Sequence, residues 1–441
     1  MRFRLLVLLA ALVALALPAS AGAGRIAGEG KPDRSFSGDG RVLTDLDEGS
    51  KDRASSVISY GDRILLAGYS IKAPLGVQLA LAAYRQDGSL DPGFGDGGIV
   101  LSNVEDGMAA EAMAIDSFGD IVVAGPSNTG QPFGSPSVAR LLADGRLDPS
   151  FGGGDGMVDV PAEMRVTAVR SDRFGGILVA GTHGGDAGYE ASTEFAVFHL
   201  NRDGSPDLSF GEGGMVTIDL ALGLPEECND MMLDGLGRIV LVGGAWFPKE
   251  GRRTGTTGRF AVARLLPDGR LDTSFAGRGH KILPVRESGS YASAGALDVG
   301  GRVILAGKTG TLLGFAALGE SGQLDRSYGR RGFALHDVRD EYLPGDVADD
   351  SHRRIVAALE SIGSPSTPRK GAFRAWRLRA DGPFDRRFGG DGRVAVRLGS
   401  RLGTARSVAL QGNGRILLGG WAKLPGTIDT DFALVRLRGG L

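Results

Sequence analysis

The residues with the most capacity for chemistry in this chain come as a series. An aspartate stands three residues before an aromatic at Asp33 and Phe36, Asp91 and Phe94, Asp148 and Phe151, Asp207 and Phe210, Asp272 and Phe275, Asp325 and Tyr328, and Asp385 and Phe388. Seven carboxylates invite a calcium or an acid–base reading. A residue present in every copy of a repeat serves every copy, however, whereas a catalytic centre needs a singular constellation. An aspartate side chain can close its own turn, and the aromatic has the size to wedge between repeated units. An arginine recurs upstream, at Arg85, Arg140, Arg264, Arg377 and Arg436, placed to pair with the aspartate. The unit therefore reads as structural, and neither a metal nor a cofactor is expected.

The other reactive residue types lack a partner of the right spacing. His199 stands where other copies carry arginine. His352 lies beside Asp349 and Asp350, but Asp349 also matches the turn residues Asp116 and Asp298. Gly307, Lys308 and Thr309 resemble the end of a phosphate loop, yet Gly301 is one residue too far upstream and no helix follows. Cys228, the sole cysteine, aligns with the small residues Ala110 and Ala405, which predicts a buried, inert thiol. No disulfide is possible within the chain.

The elements that must carry these residues follow from the period. From Phe36 to Phe388 the copies recur about every 59 residues, and each period holds four short β-type segments. In one copy these are 110–116, 120–125, 138–142 and 157–160, separated by turns at 117–119 and 144–145. The 73 glycines fit many tight turns, and the 42% hydrophobic content fits a globular chain. No segment after the N-terminal run has a 3.6-residue period. The pattern predicts an all-β, seven-bladed β-propeller with four antiparallel strands per blade. The start of the chain supplies one outer strand near 41–45, and the end supplies three, near 405–410, 415–419 and 432–437. The N-terminal strand is thus expected to complete the last blade and close the ring, leaving no free edge.

Arg2 and Arg4 precede the apolar run 5–17, then Pro18 and the small residues Ala19, Ser20 and Ala21. This reads as a secretory signal over 1–21, followed by a short segment 22–31 and the propeller over 32–441. The expected location is outside the cytoplasm, extracellular or periplasmic. Loss of the two arginines would shift the net charge from −2 to −4, which gives no electrostatic case for nucleic acid. No later run is long enough to span a bilayer as a helix.

The strand Gly-Arg-Ile-Leu-Leu-Ala-Gly, the strand Phe-Ala-x-x-Arg and the turn Asp-Gly-x-Leu-Asp-x-x-Phe-Gly together resemble the delta-60 repeat of secreted bacterial propellers. The resemblance covers 32–441 and recurs seven times; it is weakest in the sixth copy, where Ala357 and Ala358 replace Ala-Gly and the first strand is poorly marked. More distantly the strands are similar to NHL-type propellers, which are mainly interaction modules. The resemblance implies a fold and no particular activity.

Function is expected on the face where loops vary. The turns between first and second strands, and between third and fourth, repeat; the remaining connections differ in length and share the opposite face. Tyr69, Tyr189, Trp246, Phe247, Arg252, Trp421 and Lys423 gather there, with Phe133, Lys249, Arg253 and Tyr342. Such residues suit a glycan, peptide or protein partner, or else cover the blade ends. The favoured reading is a non-catalytic binding or scaffold propeller. One alternative is a polysaccharide hydrolase or lyase using Asp45, Asp47 and Glu48 with Asp337, Asp340 and Glu341. Another is a structural surface or matrix protein.

Overall fold

Short Val-, Ile-, Leu- and Ala-rich segments between Gly-rich turns cannot bury two faces alone, so they pair into sheets that stack on one another. The structure, a computed structural model, describes residues 28–440 except 75, 103–106, 128–134, 161–163, 185–191, 250–255, 284–288, 339–341, 362–370, 400–401, 424–425 and 428. Within these residues, 28 strands form seven four-stranded antiparallel sheets, and no helix occurs. Blades one to six take their strands from 51–102, 112–159, 164–218, 226–283, 291–337 and 342–397. The chain is a seven-bladed β-propeller. Blade six has a well-formed first strand, Tyr342–Asp349, despite its faint sequence signal.

Blade seven draws on both ends of the chain. Its strands are Leu402–Leu410, Arg415–Lys423, Asp431–Arg438 and, outermost, Arg41–Thr44. Arg41 lies opposite Val435 and Thr44 opposite Phe432, so the N-terminal strand completes the last blade as expected. The seam runs further than the boundary at residue 32. Gly30 N–H donates to Arg438 O at 2.6 Å, and Arg438 N–H donates to Lys31 O at 2.9 Å. Residues 28–31 thus form half of the last outer turn of blade seven. The 1–21 segment lies outside the described residues.

The core is divided among the blade junctions. Seven buried clusters each draw mainly on two neighbouring blades, and each contains one aromatic of the Asp-x-x-aromatic series. All seven rings are at most 1% exposed, which places about 2 kcal/mol of burial at every junction. The Asp-Gly turn of the next blade closes over the ring. Gly145, at φ +88°, leaves room for Phe94 at a point where a Cβ would lie 3.0 Å from the ring.

Every innermost strand carries one surplus residue. The register slips between Ala54 and Ser56, Val166 and Ala168, Cys228 and Asp230, Ala292 and Ala294, Pro344 and Asp346, and Ala405 and Ser407. Blade two does the same between the Met108–Ser127 bridge and the Ala112–Ala124 pair. Such bulges bend a strand and re-aim one side chain. They also explain the glycine of the second strand: a Cβ on Gly243 would overlap the carbonyl oxygen of Glu227 just before the bulge. In blade six that position is Leu359, opposite Pro344, rather than Ala358, and the glycine stands at the bulge itself, as Gly345.

Candidate binding site at the axial tunnel

The recurring aspartates are fully engaged. In each copy one carboxylate oxygen accepts the N–H two residues on, from Ser35 at 3.2 Å through Ser150 at 2.9 Å to Arg387 at 3.1 Å. The backbone carbonyl accepts the N–H of the aromatic, as from Phe275 to Asp272 at 2.9 Å. The other oxygen meets a cation. Arg140 Nε donates to Asp148 at 2.7 Å and Arg264 Nε to Asp272 at 2.8 Å, while Arg377 and Arg436 ion-pair with Asp385 and Asp33 at 2.8 and 3.0 Å. The same guanidiniums lie over Phe151, Phe275, Phe388 and Phe36 and reach a carbonyl of the next blade, as Arg264 does to Glu320 O at 2.6 Å.

Three copies differ in how the cation is supplied. Arg85 is half exposed and stands 4.0 Å from Asp91, so Arg63, from the second strand, pairs with it at 2.6 Å instead. His199 occupies the place with Asp207 at 2.9 Å, and Arg302 serves Asp325 at 3.0 Å. Among the described residues no group of three or more His, Cys, Asp or Glu is arranged to hold a metal. Cys228 is fully buried, and burial pushes its thiol up, away from reactivity.

The bulges build a different kind of site. Ser55, Glu111, Thr167, Asn229, Ser293, Gly345 and Arg406, one per blade, all line a tunnel of about 670 Å³ on the propeller axis. Arg406 lies 3.7 Å from Glu111 and 3.6 Å from Glu360; Arg165 lies 3.9 Å from Glu227. These separations are ion-pair distances beyond direct hydrogen bonding. Burial raises the Glu111 carboxyl above its ordinary value, and Arg406 pulls it back. Deeper in, Asp346 accepts Val408 N–H and Ser407 Oγ–H, both at 2.9 Å, joining blades six and seven. Burial, then the charge of Asp230, pushes its carboxyl up to about 6.

The tunnel mouth lies at one register level, on the variable-loop face. There Arg53 pairs with Tyr69, Arg165 with Thr182, Glu227 with Gly244, Tyr291 with Lys308, Leu343 with Glu360 and Thr404 with Trp421. Tyr69 and Trp421 are therefore brought to the same ring, half-buried, and Arg53 stands 5.0 Å above the Trp421 indole. Trp246 is half-buried, like Trp421. Its ring folds back over Gly244 and stands 6.2 Å from Tyr291 in the next blade. Phe247 packs against the cluster between blades three and four, with Arg259 over its ring at 4.5 Å. Tyr342 is buried, Lys249 is half-buried, and Lys423 lies half-buried at the end of its strand. Tyr189 and Arg252, with Phe133 and Arg253, lie outside the described residues.

The carboxylates proposed for hydrolysis do not converge among the described residues. Asp45, Asp47 and Glu48 follow the outermost strand of blade seven, and Asp47 is tied to Lys72 at 2.6 Å. Asp337 ends the outermost strand of blade five, with blade six between. Asp340 and Glu341 lie outside the described residues. Sequence reading passed over Glu111, Arg165, Glu360 and Arg406. The available signal was a polar residue directly after the small residue of the innermost strand, at Ser55, Glu111, Ser293 and Arg406.

Two stretches match a known family: the β-propeller domain of unknown function DUF5122, at residues 119–151 and 237–275. Both cover the same section of the repeat, from the second strand through the aspartate turn, in blades two and four. No curated protein matches the sequence. Among solved structures, the chain is similar to the propeller domain of the Trilobed protease from Pyrococcus furiosus, at 8% identity over 87% of this chain and 94% of that one, with a TM-score of 0.44. It is also similar to the calcium-binding protein regucalcin from Agrobacterium tumefaciens, at 14% identity over 75% and 91%, TM-score 0.39. A third is the α-L-arabinanase of Penicillium chrysogenum, at 12% identity over 75% and 93%, TM-score 0.44.

Proposed function

We propose that the chain is a secreted, non-catalytic propeller of the delta-60 repeat type that binds an extracellular ligand at the tunnel mouth on the variable-loop face. The observation that carries this reading is the ring of Glu111, Arg165, Glu227, Glu360 and Arg406. Its charged groups lie 3.6 to 3.9 Å apart, too far for their donors and acceptors to satisfy one another directly. Elsewhere the charged repeat residues are consumed by turns and blade junctions, which supports a scaffold role for them. The run 5–17 and the small residues after it support export.

Hydrolysis is the less supported reading. Its two best tunnel carboxylates, Glu111 and Glu360, lie 3.7 and 3.6 Å from the same Arg406, so a guanidinium occupies the place where a glycosidase pair would hold the scissile bond. The test is a screen of the protein on glycan and peptide arrays, repeated with Arg406→Ala, Trp421→Ala and, on the opposite face, Phe174→Ala. Loss of signal in the first two and not the third is expected. A ligand retained by Arg406→Ala, or polysaccharide turnover abolished by Glu111→Gln, would overturn the proposal.

A further inference from the structure

The geometry points to a neutral saccharide as the occupant of the tunnel mouth, held through its hydroxyl groups. This rests on the binding reading above and adds the ligand's chemistry. Around the axis the charges are of both signs: Arg53 in blade one, Glu111 in blade two, Arg165 in blade three, Glu227 in blade four, Lys308 in blade five, Glu360 in blade six and Arg406 in blade seven. Four cations interspersed with three anions nearly cancel, so the ring presents no single-sign field to steer in a polyanion or a polycation.

The spacing selects the functional group. Each gap of 3.6 to 3.9 Å between guanidinium and carboxylate suits an atom that accepts from the first and donates to the second. A hydroxyl does both from one oxygen, whereas a peptide amide splits donor and acceptor between two atoms. A sugar hydroxyl there reproduces the bonds a water would make, so nothing is lost on displacement, and one pyranose carries several. Arg406, between two carboxylates, offers two such gaps side by side, the arrangement that neighbouring hydroxyls on one ring fit. Asn229, Ser293 and Thr167 extend the polar lining, while Met164, Leu343 and Pro344 offer surface to the C–H faces of a sugar. A peptide has a further disadvantage. The ring closes on itself through Arg41–Thr44, which removes the outer edge of the last blade as a place for strand addition.

The experiment titrates the full chain with cellohexaose, xylohexaose, mannohexaose and maltohexaose, with a hyaluronan hexasaccharide as the charged comparison and a random peptide pool beside them. At least one neutral hexasaccharide is expected to bind, with an affinity that changes less than about twofold up to ~1 M salt, where the Debye length is about 3 Å. Arg406→Ala and Glu360→Ala should each weaken it at least tenfold, and Glu360→Gln, which keeps an acceptor, should weaken it less. Thermal melts of the variants separate this loss from misfolding, and Glu227→Gln serves as a second probe if Glu360→Ala does not fold. Neutral binding that survives both alanine variants, or that collapses with salt, overturns the assignment. Capture of peptides alone, lost in Arg406→Ala, overturns the saccharide but leaves the tunnel mouth as the binding site. No binding of any probe overturns both.

Discussion

At the scale of single residues, the same residue type does opposite work in different surroundings. Asp148 is ionised for the turn and for Arg140, whose guanidinium is only 2% exposed, and Ser150 and Arg140 hold its carboxyl below the ordinary range against the opposing effect of burial. Asp148→Ala leaves that guanidinium buried and unpaired, so urea unfolding should show a loss of about 3 kcal/mol. Asp91→Ala should cost less, since its partner Arg63 is one-third exposed and can turn to water. Glu226 shows the reverse case. It is fully buried in the first strand of blade four, accepts Leu220 N–H at 2.7 Å, and burial pushes its carboxyl up to about 8 from the usual 4.5. The folded protein therefore holds a proton that the unfolded chain has given up between those values. This contribution is complete below pH 4.5 and is lost as pH rises through about 8. Glu226→Gln should match the parent's melting temperature near pH 4.5 and exceed it near pH 9; equal melting at both would show that Glu226 is not protonated in the fold.

At the scale of the strand, the bulge explains what the repeat requires. Gly243 is fixed by the carbonyl of Glu227, so Gly243→Ala should push the first two strands of blade four apart and cost about 1–3 kcal/mol in a denaturant melt. The equivalent site of blade six is Leu359, which faces a bulge formed at Gly345 and is buried, so a side chain is accommodated there and Leu359→Ala should cost about 2–5 kcal/mol of lost packing. The sequence made the second-strand glycine visible because it recurs, and it made the blade count visible because Asp-x-x-aromatic marks each junction. It did not make the tunnel visible. A bulge adds one residue without altering composition, and it reverses the in–out alternation on which a strand is read, so Glu111 and Arg406 look like ordinary solvent-facing positions. The fate of Trp246 was equally hidden. Whether its ring lies exposed or packed depends on the gap left by Gly244 and on Tyr291 from the neighbouring blade, a contact across 45 residues of chain that no local pattern encodes. Tyr69 and Trp421 were legible as mouth residues because each directly follows the second-strand glycine and thus inherits the repeat's geometry.

At the scale of the whole molecule, each blade is held by its two neighbours, and the ring has no independent unit. Removing residues 1–46 would take away Phe36, the Asp33–Arg436 pair and the outermost strand of blade seven together. The loss of the Phe36 and Leu43 burial alone amounts to about 4 kcal/mol, and it bares an edge along Asp431–Arg438 that is free to pair with another molecule. The truncated protein should melt well below the parent and aggregate; melting at the same temperature would show that the seam is dispensable. The seam has a further consequence. Glu29 and Gly440 are in contact, Arg438 is bonded to both Gly30 and Lys31, and the turn they form together is the counterpart of an unbroken turn in the six other blades, Asp-Gly in five and Ser321-Gly322 in blade five. A short linker between 440 and 28 would convert it into one more such turn. The chain could then be cut instead in the variable loop between blades three and four, between 218 and 226, giving a circular permutant with all seven junctions intact. Such a permutant should melt within a few degrees of the parent, because the closed ring as an object has no first blade.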